Sequence, residues 1–123
     1  MKEDHTMKLT NAQMFDSLLV LNQAEEKGVL GFAIAQNRRK LSEELKEYAA
    51  KRDELLKEYG TDEGDGRFTI ASDKVPAFSA ALRPFAEMVA DVAVRQVSEE
   101  DFCSGNLTSS QMVVLGWMVK EGD

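Results

Sequence analysis

Few side chains in this sequence could do covalent or acid–base work. It holds one histidine, His5, and one cysteine, Cys103. His5 precedes the first capped helix in a polar stretch that reads as a mobile tail, whereas a general base needs a fixed position within reach of its proton. Glu99, Glu100 and Asp101 lie close to Cys103, and neighbouring carboxylates raise a thiol pKa. With Phe102 beside it, Cys103 reads as a small packing residue. One histidine and one cysteine cannot furnish a zinc site of ordinary composition within a single chain. The run Asp62-Glu63-Gly64-Asp65-Gly66 has the flavour of a calcium loop. With Asp62 placed first, however, glycines fall on ligand positions, so a hairpin-like turn is expected there and no metal. Neither a phosphate-binding glycine loop, a dinucleotide fingerprint nor a nucleophile elbow occurs. Carboxylates abound, but each lies in a charge-mixed helix or a polar loop, without the apolar setting that would separate two pKa values. The expectation is a protein that is not an enzyme and takes no cofactor.

Binding chemistry is left. Glu43, Glu47, Glu54 and Glu58 would form an acidic face suited to a basic, nucleic-acid-binding channel on another protein. Arg38, Arg39, Tyr48, Tyr59 and Arg95 combine positive charge with aromatic surface, and an oligomer could assemble them into a pocket for a signalling nucleotide. Trp117, the only tryptophan, points partly away from its helix's apolar stripe and is a candidate interface anchor. Met14, Met88, Met112 and Met118 fall on apolar faces as adaptable filling. Direct binding of nucleic acid is not expected. Fifteen Lys and Arg stand against twenty-two Asp and Glu, a net charge of -7. The densest basic cluster, Arg38-Arg39-Lys40, runs into Glu43 and Glu44 at helix-supporting i,i+4 spacing, the pattern of a solvated face.

The elements that position these residues read clearly at their starts. Leu9-Thr10-Asn11-Ala12-Gln13-Met14 and Leu107-Thr108-Ser109-Ser110-Gln111-Met112 share the pattern L-T-x-x-Q-M, a capping box with its hydrophobic staple. The first predicts a helix over residues 11–26, with Met14, Phe15, Leu18, Leu19 and Leu21 on its apolar side and Gly28 as its left-handed cap. From Phe32 to Tyr59 neither proline nor glycine intervenes. Ile34, Leu41, Leu45, Tyr48, Leu55 and Tyr59 approach a heptad seam there, predicting one helix about 40 Å long. Its far end must project or pack, and a homodimer or higher oligomer through residues 32–59 follows.

A glycine-rich break at residues 60–66 leads to a strand at 67–70. Asp73 reads as the N-cap of a third helix with Pro76 in its first turn and Phe78, Leu82, Phe85 and Val89 buried; Pro84 should kink or break it. Residues 91–97 alternate as a second strand, paired with 67–70 and slightly favoured antiparallel. An acidic loop over 98–105 and a last helix from Ser109 to about Lys120 complete the chain, with Met112, Leu115, Met118 and Val119 inward.

With 123 residues, 43% hydrophobic and 30% charged, the chain fits one globular domain. The fold class is mainly α (α+β), with four helices, one of them long, charged and amphipathic, and a small two-stranded sheet. A flexible tail is expected over residues 1–8, and a single helical domain over 9–123. No apolar run is long enough for a membrane span, the first residues lack a secretory core segment, and one cysteine fits a reducing cytoplasm.

Three stretches carry a likeness: M-K-L-T-N-A-Q from Met7 to Gln13, which suggests a native start at Met7; Ile34 to Leu41 leading into the charged helix that closes Lys57-Glu58-Tyr59-Gly60; and the last helix with its Trp117-Met118 pair. In these the chain resembles small acidic proteins encoded by tailed bacteriophages and prophages of Gram-positive bacteria. The resemblance implies a phage-derived accessory protein of the host bacterial cytoplasm and assigns no residue a role. Such a protein would inhibit a host defence system, by occupying a protein target or by sequestering a signalling nucleotide. The alternative is a virion assembly or tail accessory protein.

Overall fold

The structure is a computed structural model that describes residues 4–120. Its first element is strand β1 (Asp4–Thr10), where a flexible tail over residues 1–8 is expected. β1 lies antiparallel to β4 (Val89–Arg95), with Met7 opposite Val92 and Leu9 opposite Ala90. Alternation explains the pairing. Leu9, Val92 and Val94 are buried, while Thr6, Lys8, Asp91 and Ala93 face outward. On the outer face the Lys8 ammonium meets the Asp91 carboxylate at 2.9 Å.

The strand predicted at 67–70 does not join this sheet. It shortens to β3 (Phe68–Thr69) and folds back on β2 (Thr61–Asp62). The intervening loop closes locally: Gly64 and Gly66 adopt φ of 103° and 75°, and the Glu63 amide donates to the Arg67 carbonyl at 2.9 Å. Closing so short a loop costs less chain entropy than a pairing with residues 91–97 would.

Helix α1 (Asn11–Gln23) starts at its predicted capping box. Thr10 Oγ1 accepts from the Gln13 amide at 3.0 Å, and the Gln13 side chain accepts from the Thr10 amide at 2.8 Å. Gly28 has the positive φ expected of it, 66°, but opens α2 (Gly28–Glu44), since α1 already stops at Ala24. The helix expected over 32–59 is divided at Leu45 (φ −88°, ψ 0°), beyond which α3 (Lys46–Tyr59) continues. The division is a bend rather than a gap, because the Leu45 amide still reaches the Leu41 carbonyl and the Ala49 amide the Leu45 carbonyl. Ile34, Leu41, Leu45, Tyr48 and Leu55 are all buried within this one chain. The seam read as a dimer interface is thus core, and the far end of α3 packs on α4 (Val75–Ala86), where Tyr59 meets Phe78 edge-on at 6.4 Å.

Asp73 does not cap α4. It sits in a 3-10 turn, Ser72–Lys74, that feeds the helix. Pro84 does not break α4 either; the helix runs two residues further, to Ala86, so the missing amide falls in the last turn, and Val89 passes to β4. The acidic loop contains α5 (Glu99–Cys103), whose Ser98 Oγ accepts from the Asp101 amide and whose Phe102 is buried. Cys103 itself is exposed, because the short helix turns Phe102 inward in its place.

Thr108 and Gln111 form the second capping box as predicted, at the start of α6 (Ser109–Val114). α6 stops well short of Lys120: a 3-10 turn at Gly116–Met118 breaks it. Val119 then runs parallel to Val97, each strand bonding the other's backbone. Among the described residues the fold is mainly helical, with six α-helices, four of seven residues or more, and no helix long and apolar enough to cross a membrane.

Candidate functional site

The basic and aromatic residues proposed for a nucleotide pocket have separate duties. Arg38 reaches back from α2 to the end of α1, where its Nη2 donates to the Leu21 carbonyl at 2.7 Å and to that of Ala24 at 3.4 Å, satisfying carbonyls the helix leaves open. Arg39 is exposed beside it, in a groove of about 380 Å³ shared with Ser42 and Lys46. Tyr48 is only 7% exposed and stands edge-on to Phe15, ring centres 6.0 Å apart. Burial pushes its phenol above the ordinary value; Arg52 opposes that shift and Asp16 adds to it. Tyr59 is half-buried against Phe78, and the Arg95 guanidinium lies 5.8 Å from the Phe32 ring. The five are not brought to one place within the chain.

Trp117 also differs from its predicted role. Its indole N–H donates to the buried Ser17 Oγ at 2.9 Å, which ties the end of the chain to α1 and leaves the ring half-buried. Glu43, Glu47, Glu54 and Glu58 are exposed as expected. At roughly 100° per residue they fall within about 60° of arc on α2 and α3. Lys46 meets Glu43 at 3.4 Å and Lys51 meets Glu54 at 2.8 Å, both at i,i+3 spacing. The Lys51 ammonium holds the Glu54 carboxyl below the usual carboxylate range.

Where this acidic face meets the turn from α4 into β4, a cleft of about 440 Å³ opens. Glu44, Glu47, Tyr48 and Lys51, successive positions on one helical stripe, form one wall, and Phe85, Met88 and Val89 form the other. Asn11 pins the second wall from the start of α1. Its amide side chain donates to the Phe85 carbonyl and its backbone N–H to the Met88 carbonyl, each at 2.9 Å. Met88 and Val89 remain 53% and 58% exposed at the rim. The Lys51 ammonium sits 5.1 Å from the centre of the Phe85 ring, so the aromatic wall already holds one alkylammonium. Carboxylates facing apolar and aromatic surface suit a cation on an aliphatic stem, the shape of a lysine or arginine side chain.

Of these residues, sequence reasoning named Glu47 and Tyr48 but not Glu44, Asn11, Phe85, Met88 or Val89 as site residues. The second wall was hidden because Phe85 and Val89 read as one buried helical stripe. Pro84 gave only a loose signal, since α4 runs past it to Ala86, and Met88 and Val89 are exposed beyond that end.

A second groove, of about 520 Å³, lies between the start of α2 and the end of β4. It is apolar, with Val29 and Phe32 each 60% exposed. No family model, curated protein or solved structure matches this chain.

Proposed function

We propose that the protein works by binding, without turnover, and that it seats a cationic side chain of a basic protein partner in the cleft between α3 and the α4–β4 turn. The supporting observation is the cleft's two-sided chemistry: Glu44 and Glu47 face Phe85, Met88 and Val89 across about 440 Å³, continuous with the exposed stripe of Glu43, Glu47, Glu54 and Glu58. The net charge of -7 draws a basic surface toward that stripe before contact. In the phage setting suggested by the resemblance, the partner is a host defence protein in the bacterial cytoplasm, and occupying its nucleic-acid channel inhibits it. Capture of a nucleotide has less support, since Arg38 is committed to the end of α1 and Tyr48 is buried.

Titration with an arginine-rich hexapeptide, followed by nuclear magnetic resonance, tests the reading. Shifts should concentrate at residues 44–51 and 85–90, weaken as salt rises, and vanish in Glu44→Gln/Glu47→Gln. Undiminished binding in that double variant, or no binding at low salt, overturns the proposal. Co-purification with virus particles would favour the assembly role instead.

A further inference from the structure

Strand β1 ends the sheet with its bonding groups open, and β4 shows which groups these are. The amide and carbonyl of Arg95 are both taken by Asn37, and those of Val97 by the Met118 carbonyl and the Lys120 amide. Arg95 and Val97 therefore turn their backbone groups away from β1. In an antiparallel ladder bonded and non-bonded pairs alternate, so Asp4, Thr6 and Lys8, opposite Arg95, Ala93 and Asp91, are the non-bonded positions. Their amides and carbonyls point to the far side of β1. Gln13 closes that side at the Thr10 amide, but those of Thr6 and Lys8 meet no partner among the described residues, and both residues are exposed. The other edge is different: β4 runs beside α2, from Asn37 at Arg95 to Glu44 across the cleft from Val89. An edge without proline, bulge or covering element is a template for another strand.

The order of charges says which strand fits. We propose that β1 pairs antiparallel with β1 of a second copy of this chain, the two-fold axis passing between the two Thr6 residues. Residue 4 then falls opposite the partner's residue 8, and every contact is made twice. All three pairs, 4 with 8, 6 with 6 and 8 with 4, join positions whose backbone groups already face outward. Within one chain Lys8 meets Asp91 at 2.9 Å, and Asp4 stands opposite Arg95 in the register. Across the four strands of the dimer one row reads Asp91, Lys8, the partner's Asp4, the partner's Arg95, so the sign changes at every step. Centring the pair on residue 4 or 8 would set like charges together, and centring it on residue 7 would call on the Thr10 amide that Gln13 holds. This dimer does not use the α2–α3 seam, which the chain consumes in its own core. Its ladder stops short of Thr10, so the cleft walls at Glu44, Glu47, Met88 and Val89 are untouched and the inference stands apart from the cleft.

Sedimentation equilibrium over a range of concentrations, combined with amide exchange, tests it. The wild type should reach twice the monomer mass, and the Thr6 and Lys8 amides should gain protection only where the dimer forms. Thr6→Pro removes an amide that the β1–β4 ladder does not use, so the chain should stay folded and become monomeric. Charge variants test the same edge if the proline variant unfolds. Asp4→Lys alone and Lys8→Glu alone should each weaken the dimer by about tenfold, since two unlike cross-strand pairs become like ones. An equimolar mixture of the two should recover the wild-type affinity, because the mixed dimer sets opposite charges together at both ends. A monomer at every concentration, a dimer that survives in folded Thr6→Pro, or a dimer whose Thr6 and Lys8 amides exchange freely would overturn the interface. So would a mixture no tighter than its components.

Discussion

Asn37 stands in for a missing strand. Its side-chain amide donates to the Arg95 carbonyl at 2.9 Å and its oxygen accepts from the Arg95 amide at 2.7 Å, the reciprocal pair a neighbouring β-residue would make. Asn37 is completely buried, so Asn37→Leu keeps the branching of the side chain, though not its volume, and strands both groups of Arg95. The loss should be about 1–3 kcal/mol for each unsatisfied group, read as a lower urea midpoint at unchanged slope. A loss under 1 kcal/mol would mean water replaces the amide. Tyr48 gives a pH signature. Because its folded pKa lies above the ordinary 10.0, its contribution to stability is complete below that value and is lost as pH climbs through the raised one. Tyr48→Phe should flatten the alkaline end of the stability curve, and identical alkaline slopes in the two proteins would contradict this.

Among the elements, the two capping boxes invite a direct comparison. Thr10→Ala and Thr108→Ala remove the same bond, each at a cost of about 1 kcal/mol. In α1, thirteen residues long and packed on α2, the loss should appear only as lower global stability. In the six-residue α6 it should also appear as local fraying, measured by faster amide exchange at residues 109–114. Equal exchange in both helices would refute that difference. These boxes and the α2–α3 seam were readable from sequence because capping and helical periodicity are short-range physics. The β1–β4 pairing was not, since residues 4–10 show alternation only at Met7 and Leu9, and their partners lie some eighty positions away. For the same reason one wall of the cleft was legible, on a single helix, whereas the other depends on how α4 turns into β4.

At the scale of the whole molecule, the sheet ties the start of the chain to its last third, and both sides of that tie feed one core. Leu9, Val92 and Val94 bury themselves with Met14, Leu21 and Leu41. A protein begun at Met7 would lose the pairings of Asp4, His5 and Thr6, three of the seven in the register. It should still fold, because Leu9 and both buried valines remain, but with a lower melting temperature; an unchanged value would show that the first half of β1 adds nothing. Order of synthesis follows from the same tie. A ribosome moves at about 5–20 residues per second, so β1 waits on the order of ten seconds before β4 exists to receive it. Until then its apolar residues Met7 and Leu9 have no native shelter, and only the exposed Thr6 and Lys8 beside them keep the waiting strand polar.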